Sequence, residues 1–437
     1  MTATAPREGT GREGGEASPP LWLVTTGEPL PVDGPDTRLL RTGIFFQELV
    51  QRGVPVHWWT TAFDHAHRRH RTRDFASQDV GDSGRLSLLP SPGYGASVSL
   101  RRLWDHRVAA KAFLRHARNE PAPAIVYCAY PTIAMSRSVV AWGRARGIPV
   151  VLDVRDLWPD VIWDTVFSGV NGRIRASALA TLRGSASWAL RNASAVIGLT
   201  DEYVDWALEL AGRERTGLDI ALPVTYQEHE PLRGEERDAG CRFWKEHGVE
   251  LGNHQVVCFL GTVGRQFDFG PILDAARALA ADFPALRFVL CGQGEGLEEA
   301  RAASSRLENV LWPGWVDGPA RQILLERAVA GLAPYVPSEN FRRNLPNKPV
   351  EYFANGLPVL YSLDGVLHRT CTEHDCGVRY DPSSAGDLRG VVARLLGDPA
   401  HRDRMSRNAR DLFVARFRSG ALTDTLLDHA RAVRGTR

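Results

Sequence analysis

The segment Leu345-Pro346-Asn347-Lys348-Pro349-Val350-Glu351 combines residue types that can hold a phosphorylated ligand. Its two prolines mark a loop that enters a helix, which puts Lys348 at or beside a helix N-terminus. There its charge adds to the positive end of the helix dipole. Glu351 follows about one turn later, near the same end. A lysine in that position suits a diphosphate, and a neighbouring carboxylate can accept two hydrogen bonds from a ribose diol. A Lys–Glu pair on a helix surface would use the same residues. It does not account for the tight framing, in which Gly356 ends the helix and Pro358–Tyr361 begins a strand.

Two glycine-rich junctions lie upstream. The apolar run Val256–Leu260 leads into Gly261-Thr262-Val263-Gly264-Arg265, and Leu286–Cys291 leads into Gly292-Gln293-Gly294-Glu295-Gly296. Glycines let the backbone approach a phosphate, and the amides of the following helix start favour negative charge. Arg265 adds a fixed cation. Taken alone, the first junction reads equally as a glycine turn with a surface arginine. Neither junction completes the GxGxxG fingerprint that a dinucleotide-binding oxidoreductase needs. Two such junctions in consecutive βα units should open onto one sheet edge.

Polar groups also follow the strands predicted in the first half. Val150–Val154 ends in Arg155-Asp156-Leu157-Trp158-Pro159-Asp160, so Asp153, Arg155 and Asp156 bracket a strand's carboxyl end. They can hold sugar or acceptor hydroxyls, or form a local ion pair with a helix N-cap at Asp156. Gly27-Glu28-Pro29-Leu30-Pro31 leads to Asp36, Arg38 and Arg41, where Arg41 and Thr42 can touch a phosphate or an acceptor, or be ordinary surface groups in a turn. The run from Phe63 to Arg73 is basic and rich in histidine. It can attract an anionic acceptor or a membrane surface, and a solvated basic loop fits it as well.

The elements that must position these residues alternate between short apolar runs and helical-period segments, which predicts parallel, doubly wound sheets. Strands are expected at Leu21–Thr25, Val54–Trp59, Ala124–Tyr127, Val150–Val154 and Ala195–Leu199, then at Val256–Leu260, Leu286–Cys291, Val310–Trp312, Gly331–Ala333 and Pro358–Tyr361. A helix is expected between the first two strands, ending at Gly53, and another with Pro271 in its first turn. A polar break near Gln227–Gly240 separates two α/β domains of similar size. The divisions expected are a disordered tail over 1–20, an N-terminal domain over 21–235, a C-terminal domain over 236–415, and a closing helix over 416–437 that packs back on the first domain.

The chain has 437 residues, enough for two or three domains, with 53 basic and 51 acidic residues. That balance gives no reason to expect a nucleic-acid partner. The six cysteines form no CxxC pair, and Cys371-Thr372-Glu373-His374-Asp375-Cys376 matches no standard zinc spacing. A reducing compartment without disulfides is expected. The first twenty residues lack the apolar stretch of a signal peptide, and no run is long enough to predict a transmembrane helix.

Together the glycine junctions, Leu345-Pro346-Asn347-Lys348-Pro349-Val350-Glu351-Tyr352, Gly27-Glu28-Pro29-Leu30-Pro31, Arg38-Leu39-Leu40-Arg41-Thr42-Gly43, Trp58-Trp59-Thr60-Thr61-Ala62-Phe63-Asp64-His65 and Asp153-Val154-Arg155-Asp156-Leu157-Trp158-Pro159-Asp160 resemble the GT-B glycosyltransferases of the family 4 type. The similarity is greatest to the subgroup that transfers amino sugars in bacterial surface polysaccharide assembly, and it covers nearly all of residues 21–420. It implies two Rossmann-like domains facing across a cleft, with retaining transfer from a nucleoside-diphosphate sugar to a carbohydrate, lipid-linked or small-molecule hydroxyl. The catalytic residues it implies are Arg265, Lys348 and Glu351. Arg265 and Lys348 would bind the diphosphate and Glu351 the ribose, with Gly261, Gly264, Gly292, Gly294 and Asn347 completing the donor site. Glu28, Arg41, Asp153 and Asp156 are the candidates on the acceptor side. The donor half offers cations and helix starts rather than an acidic pair, so no metal or other cofactor is expected. A cytoplasmic protein, peripheral at the inner membrane face, is the matching location. One departure stands out: where the family carries an earlier glutamate this chain has Arg343, and Glu339 lies farther upstream. A nucleotide-sugar-binding subunit without transfer activity is the alternative that this departure suggests.

Overall fold

The computed structural model describes residues 18–34, 37–95, 99–161, 172–228, 230–316, 318–384 and 386–436. Residues 1–17 of the expected tail, and Asp36, lie outside the described residues.

Two sheets form. The first contains β1 (Leu21–Val24), β2 (Val56–Thr61), β5 (Ala76–Val80), β6 (Gly84–Leu89), β7 (Ile125–Tyr130), β8 (Val150–Val154), β9 (Ala195–Gly198) and β10 (Ile220–Ala221), in the order β10-β9-β8-β7-β1-β2-β6-β5. Only the edge pair β5–β6 is antiparallel. A small hairpin, β3 (Phe63–Asp64) with β4 (Arg69–His70), stands beside it. The second sheet contains β11 (Gln255–Leu260), β12 (Leu286–Cys291), β13 (Val310–Gly314), β14 (Ala330–Ala333), β15 (Val359–Tyr361) and β16 (Gly377–Arg379), in the order β13-β12-β11-β14-β15-β16 with all pairs parallel. Central strands such as β8, VVLDV, are buried along their whole length, as a parallel sheet covered on both faces requires.

Strand order decides where a ligand can sit. The chain reverses direction across the first sheet between β1 and β7, and across the second between β11 and β14. Crevices open beyond the carboxyl ends of strands at such switch points. The loop after β1, the loop after β11 and the segment between β14 and β15 are therefore the places to look.

The regions read as strands in the sequence are strands here, within a few residues at their ends. Two features in particular differ from expectation. The hairpin and the pair β5–β6 were not anticipated: β5 is an edge strand whose central Ser77, Gln78 and Asp79 are exposed, so no apolar alternation marks it. The polar break contains a helix, Gly234–Glu246, in which only Gly240 and Trp244 are buried. Trp244 fixes it to the second domain by donating from Nε1 to the Ala320 carbonyl at 2.7 Å. The helix Ser419–Gly435 returns to the first domain, where Leu422, Leu426, Ala430 and Val433 join its core and Tyr127 Oη meets His429 Nδ1 at 2.8 Å.

Candidate functional site

The helix Asn347–Ala354 lies between β14 and β15, with Pro346 as its N-cap. Pro349 suits the first turn, and Val350, Tyr352 and Phe353 are fully buried, so the apolar face fixes the helix against the sheet. Lys348 is thereby pressed onto the end of β11. Its Nζ donates to the Leu260 carbonyl and lies 4.6 Å from the Phe259 ring centre and 5.0 Å from that of Phe267. Burial pulls its pKa down and Arg38 adds to the effect, against the opposing pull of Glu351, to about 7.

Glu351 is completely buried, and both its oxygens are engaged. Arg38 of the first domain donates to Oε2, and Arg321 of the helix Gly318–Arg327 donates to Oε1. Arg321 also donates to Tyr226 Oη at 2.9 Å. Burial would raise the Glu351 carboxyl, but Arg321, Arg38 and Lys348 together hold it below its usual range. Three basic side chains therefore converge on one carboxylate at the second switch point. With Lys348 protonated the group carries surplus positive charge.

The two glycine loops are laced together beside this group. Gly261 N donates to Cys291 O at 3.0 Å, Val263 N to Gln293 O at 2.9 Å, and Gly292 N to Gly314 O at 2.7 Å. Those amides are thus used within the protein. Gly261 has a φ of +142°, and a Cβ there would overlap Lys348 Nζ. Gly294, at φ +152°, would place a Cβ on the Val263 carbonyl. Gly292 abuts the Gly261 carbonyl, and Gly264 is covered by the Gln266 side chain. Asn347 is exposed at the helix start. Arg265 does not join Lys348: its side chain is 93% exposed on the loop, 4.0 Å from Glu295.

In the first domain, Glu28, Arg41, Asp153 and Arg155 form one network after β1 and β8. Asp153 Oδ2 accepts from Arg41 Nε at 3.0 Å and from Arg155 Nη2 at 2.7 Å, while Arg155 Nη1 donates to Glu28 Oε1 at 2.5 Å. Thr42 Oγ1 donates to the same Glu28 oxygen at 3.0 Å. Burial pushes the Asp153 carboxyl up, but Arg155 and Arg41 bring it below its usual value. Two carboxylates balance two guanidiniums, so three of the four acceptor-side candidates serve one another. Glu28 Oε2, Arg41 Nη2 and Asp153 Oδ1 are buried atoms without a hydrogen-bond partner.

Asp156 instead faces the second domain. Asn340 Nδ2 donates to Asp156 Oδ1 at 2.9 Å, and Asn340 Oδ1 accepts from Leu157 N at 3.1 Å and from Tyr203 Oη at 2.7 Å. Thr200 Oγ1 donates to the Arg343 carbonyl at 2.6 Å. These bonds and the Arg38–Glu351 pair tie the two domains across the cleft. Glu339 is 61% exposed and paired with Arg342 and Arg343.

Arg38, Arg321, Tyr226 and Asn340 are the residues that reading the sequence did not assign to the site. Nearby, His106 is buried with its Nε2 unpartnered, and burial with Arg102 lowers its pKa to about 3. His65, whose Nδ1 meets Tyr94 Oη at 2.9 Å, is lowered by the same causes to about 4. No group of three His, Cys, Asp or Glu side chains among the described residues is arranged to hold a metal ion. Cys371 and Cys376 are buried free thiols.

The family model of glycosyl transferases group 1 matches residues 242–412. No curated protein matches the chain. Among solved structures, sucrose-phosphate synthase from Thermosynechococcus elongatus is 16% identical with a TM-score of 0.69, covering 96% of this chain and 100% of its own. HepE from Anabaena, in complex with UDP-glucose, is 14% identical with a TM-score of 0.63, covering 95% and 100%. The α,α-trehalose 6-phosphate synthase from Burkholderia multivorans is 12% identical with a TM-score of 0.65, covering 96% and 99%. The chain thus has the two-domain GT-B fold, and the match to group 1 glycosyl transferases spans residues 242–412, the domain that holds Lys348, Glu351 and both glycine loops.

Proposed function

We propose that this chain is a retaining glycosyltransferase that moves a sugar from a nucleoside-diphosphate sugar to a hydroxyl acceptor in polysaccharide or glycoconjugate assembly, without a metal ion. The observation that carries the reading is the convergence of Arg38, Arg321 and Lys348 on the single buried Glu351 at the switch point of the second domain. Burying surplus like charge is unfavourable unless an anion completes the site. A diphosphate has the required sign and size. The family match over residues 242–412 and the UDP-glucose held by the HepE structure support that ligand class.

The chemistry follows from charge. As the glycosidic bond breaks, negative charge grows on the departing diphosphate. Cations fixed in a water-poor cleft stabilise such charge by several kcal/mol more than water does. Lys348, held by Leu260 and two aromatic rings, is fixed in this way. The acceptor hydroxyl approaches on the face from which the diphosphate leaves, and a phosphate oxygen takes its proton. Glu351 is completely buried, so a ribose diol reaches it when a covering group such as Arg38 or Arg321 moves aside. Arg38 is the more accessible of the two, at 27% against 12%, and once released it can turn to the diphosphate.

A thermal-shift screen against nucleotide sugars tests the reading, because a ligand of the folded state raises apparent stability. One nucleotide sugar is expected to raise the melting temperature, and Lys348→Ala or Glu351→Ala to reduce turnover with that donor about 100-fold or more. Wild-type turnover in both folded variants would rule the assignment out. The reading as a binding subunit is favoured by the pairing of Glu339 with its own neighbours Arg342 and Arg343. It predicts donor binding in calorimetry with no release of nucleoside diphosphate across an acceptor panel.

A further inference from the structure

The helix Leu100–His116 has two faces of different chemistry. Its inner face buries Asp105, His106, Ala109, Ala110, Ala112 and Phe113. Leu100, Trp104, Arg107, Lys111 and Leu114 point the opposite way, and at 100° per residue they fall within an arc of about 80°. Leu100 and Trp104 are 60% and 54% exposed, the two largest values among the exposed large apolar residues described. Leu114 adds a third apolar group at 38%. Arg101, Arg115 and Arg118 are exposed along the margins. Asp105 is the one acid between residues 100 and 118, and it is buried.

We propose that this face docks the protein on an anionic lipid surface. Charge and apolarity decide the occupant together. A second copy would set cations against cations, so self-association is disfavoured. A soluble polyanion would satisfy the cations but leave Leu100 and Trp104 in water. An anionic bilayer takes both, with the apolar groups entering the interface and the cations meeting the headgroups. None of the described helices is long and apolar enough to cross a membrane.

The helix also links that surface to the cleft. Arg102 lies 4.9 Å from the Trp158 ring centre and His106 lies 6.3 Å from it, two residues after Asp156. Resting on the transferase reading above, this placement makes an acceptor carried in the same lipid surface the class that reaches the cleft.

Sedimentation with vesicles of phosphatidylcholine, with and without phosphatidylglycerol, tests the docking. The full chain is expected to partition at least about tenfold more strongly onto the anionic vesicles, and less at high salt. The double variant Trp104→Ser, Lys111→Glu should lose at least about tenfold of that partition while keeping wild-type melting temperature and nucleotide-sugar binding. Should that variant fail to fold, Arg107→Glu with Lys111→Glu replaces it, since both positions are exposed. Equal partition of wild type and variant, or binding to heparin with none to either vesicle, overturns the proposal. Docking without any nucleotide-sugar binding would instead remove the transferase reading and leave the lipid surface standing.

Discussion

Lys348 is the site residue whose charge a bound donor is expected to change. Its pKa of about 7 leaves it part-charged at neutral pH, and a bound diphosphate favours the protonated form. Donor affinity should therefore be full below about pH 7 and fall as pH rises above it, with proton uptake on binding. Calorimetry in buffers of different ionisation enthalpy measures both, and an affinity flat from mildly acid to alkaline pH with buffer-independent heat would show that Lys348 does not meet the donor. The lysine and the glutamate were legible from their place between Pro346 and Gly356. Their partners were not. Arg38 lies more than 300 residues from Glu351 in the chain, and its neighbours Leu39 and Leu40 give no sign that it crosses to another domain. Arg265 is the converse: a cation after a glycine loop looked like a phosphate ligand, yet it stands in solvent beside Glu295.

At the level of elements, the two glycine loops act as a frame for the lysine. Gly261 adopts a backbone conformation that side-chain-bearing residues rarely take, and its missing Cβ is where Lys348 Nζ lies. Gly261→Ala should strain the loop by roughly 1–3 kcal/mol and displace the ammonium. The expected result is a donor Kd at least about tenfold weaker in a protein that still unfolds cooperatively, read by calorimetry alongside thermal melting. An unchanged Kd would mean that the loop does not position Lys348. Strand and glycine turn were both readable in Val256–Leu260 and Gly261, because a fully buried parallel strand is a continuous apolar run. The helix Gly234–Glu246 was not, since two buried residues make no period. The edge strand β5 failed for the same reason, being mostly exposed.

In the molecule as a whole, two domains meet through specific polar contacts. Asn340 is the densest of them, joined to Asp156, Leu157 and Tyr203. Asn340→Ala removes these bonds and leaves the Asp156 carboxyl, already raised by burial, without its amide donor. The unliganded variant should be more open, with a larger radius of gyration in small-angle scattering and little change in melting temperature. A radius equal to that of wild type would show that Asn340 does not hold the domains closed. The two-sheet architecture was visible in the alternation of strands and helices, while the cross-cleft contacts arise only when the sheets are brought face to face.

The proposed transfer depends on the lysine-bearing helix start gripping a diphosphate. Calorimetric titration of nucleoside diphosphates into the wild type and into folded Lys348→Ala tests it most directly. Saturable one-to-one binding of at least one nucleoside diphosphate is expected, weakened at least about tenfold by the substitution. Equal affinity in both proteins, or binding of none, would contradict it.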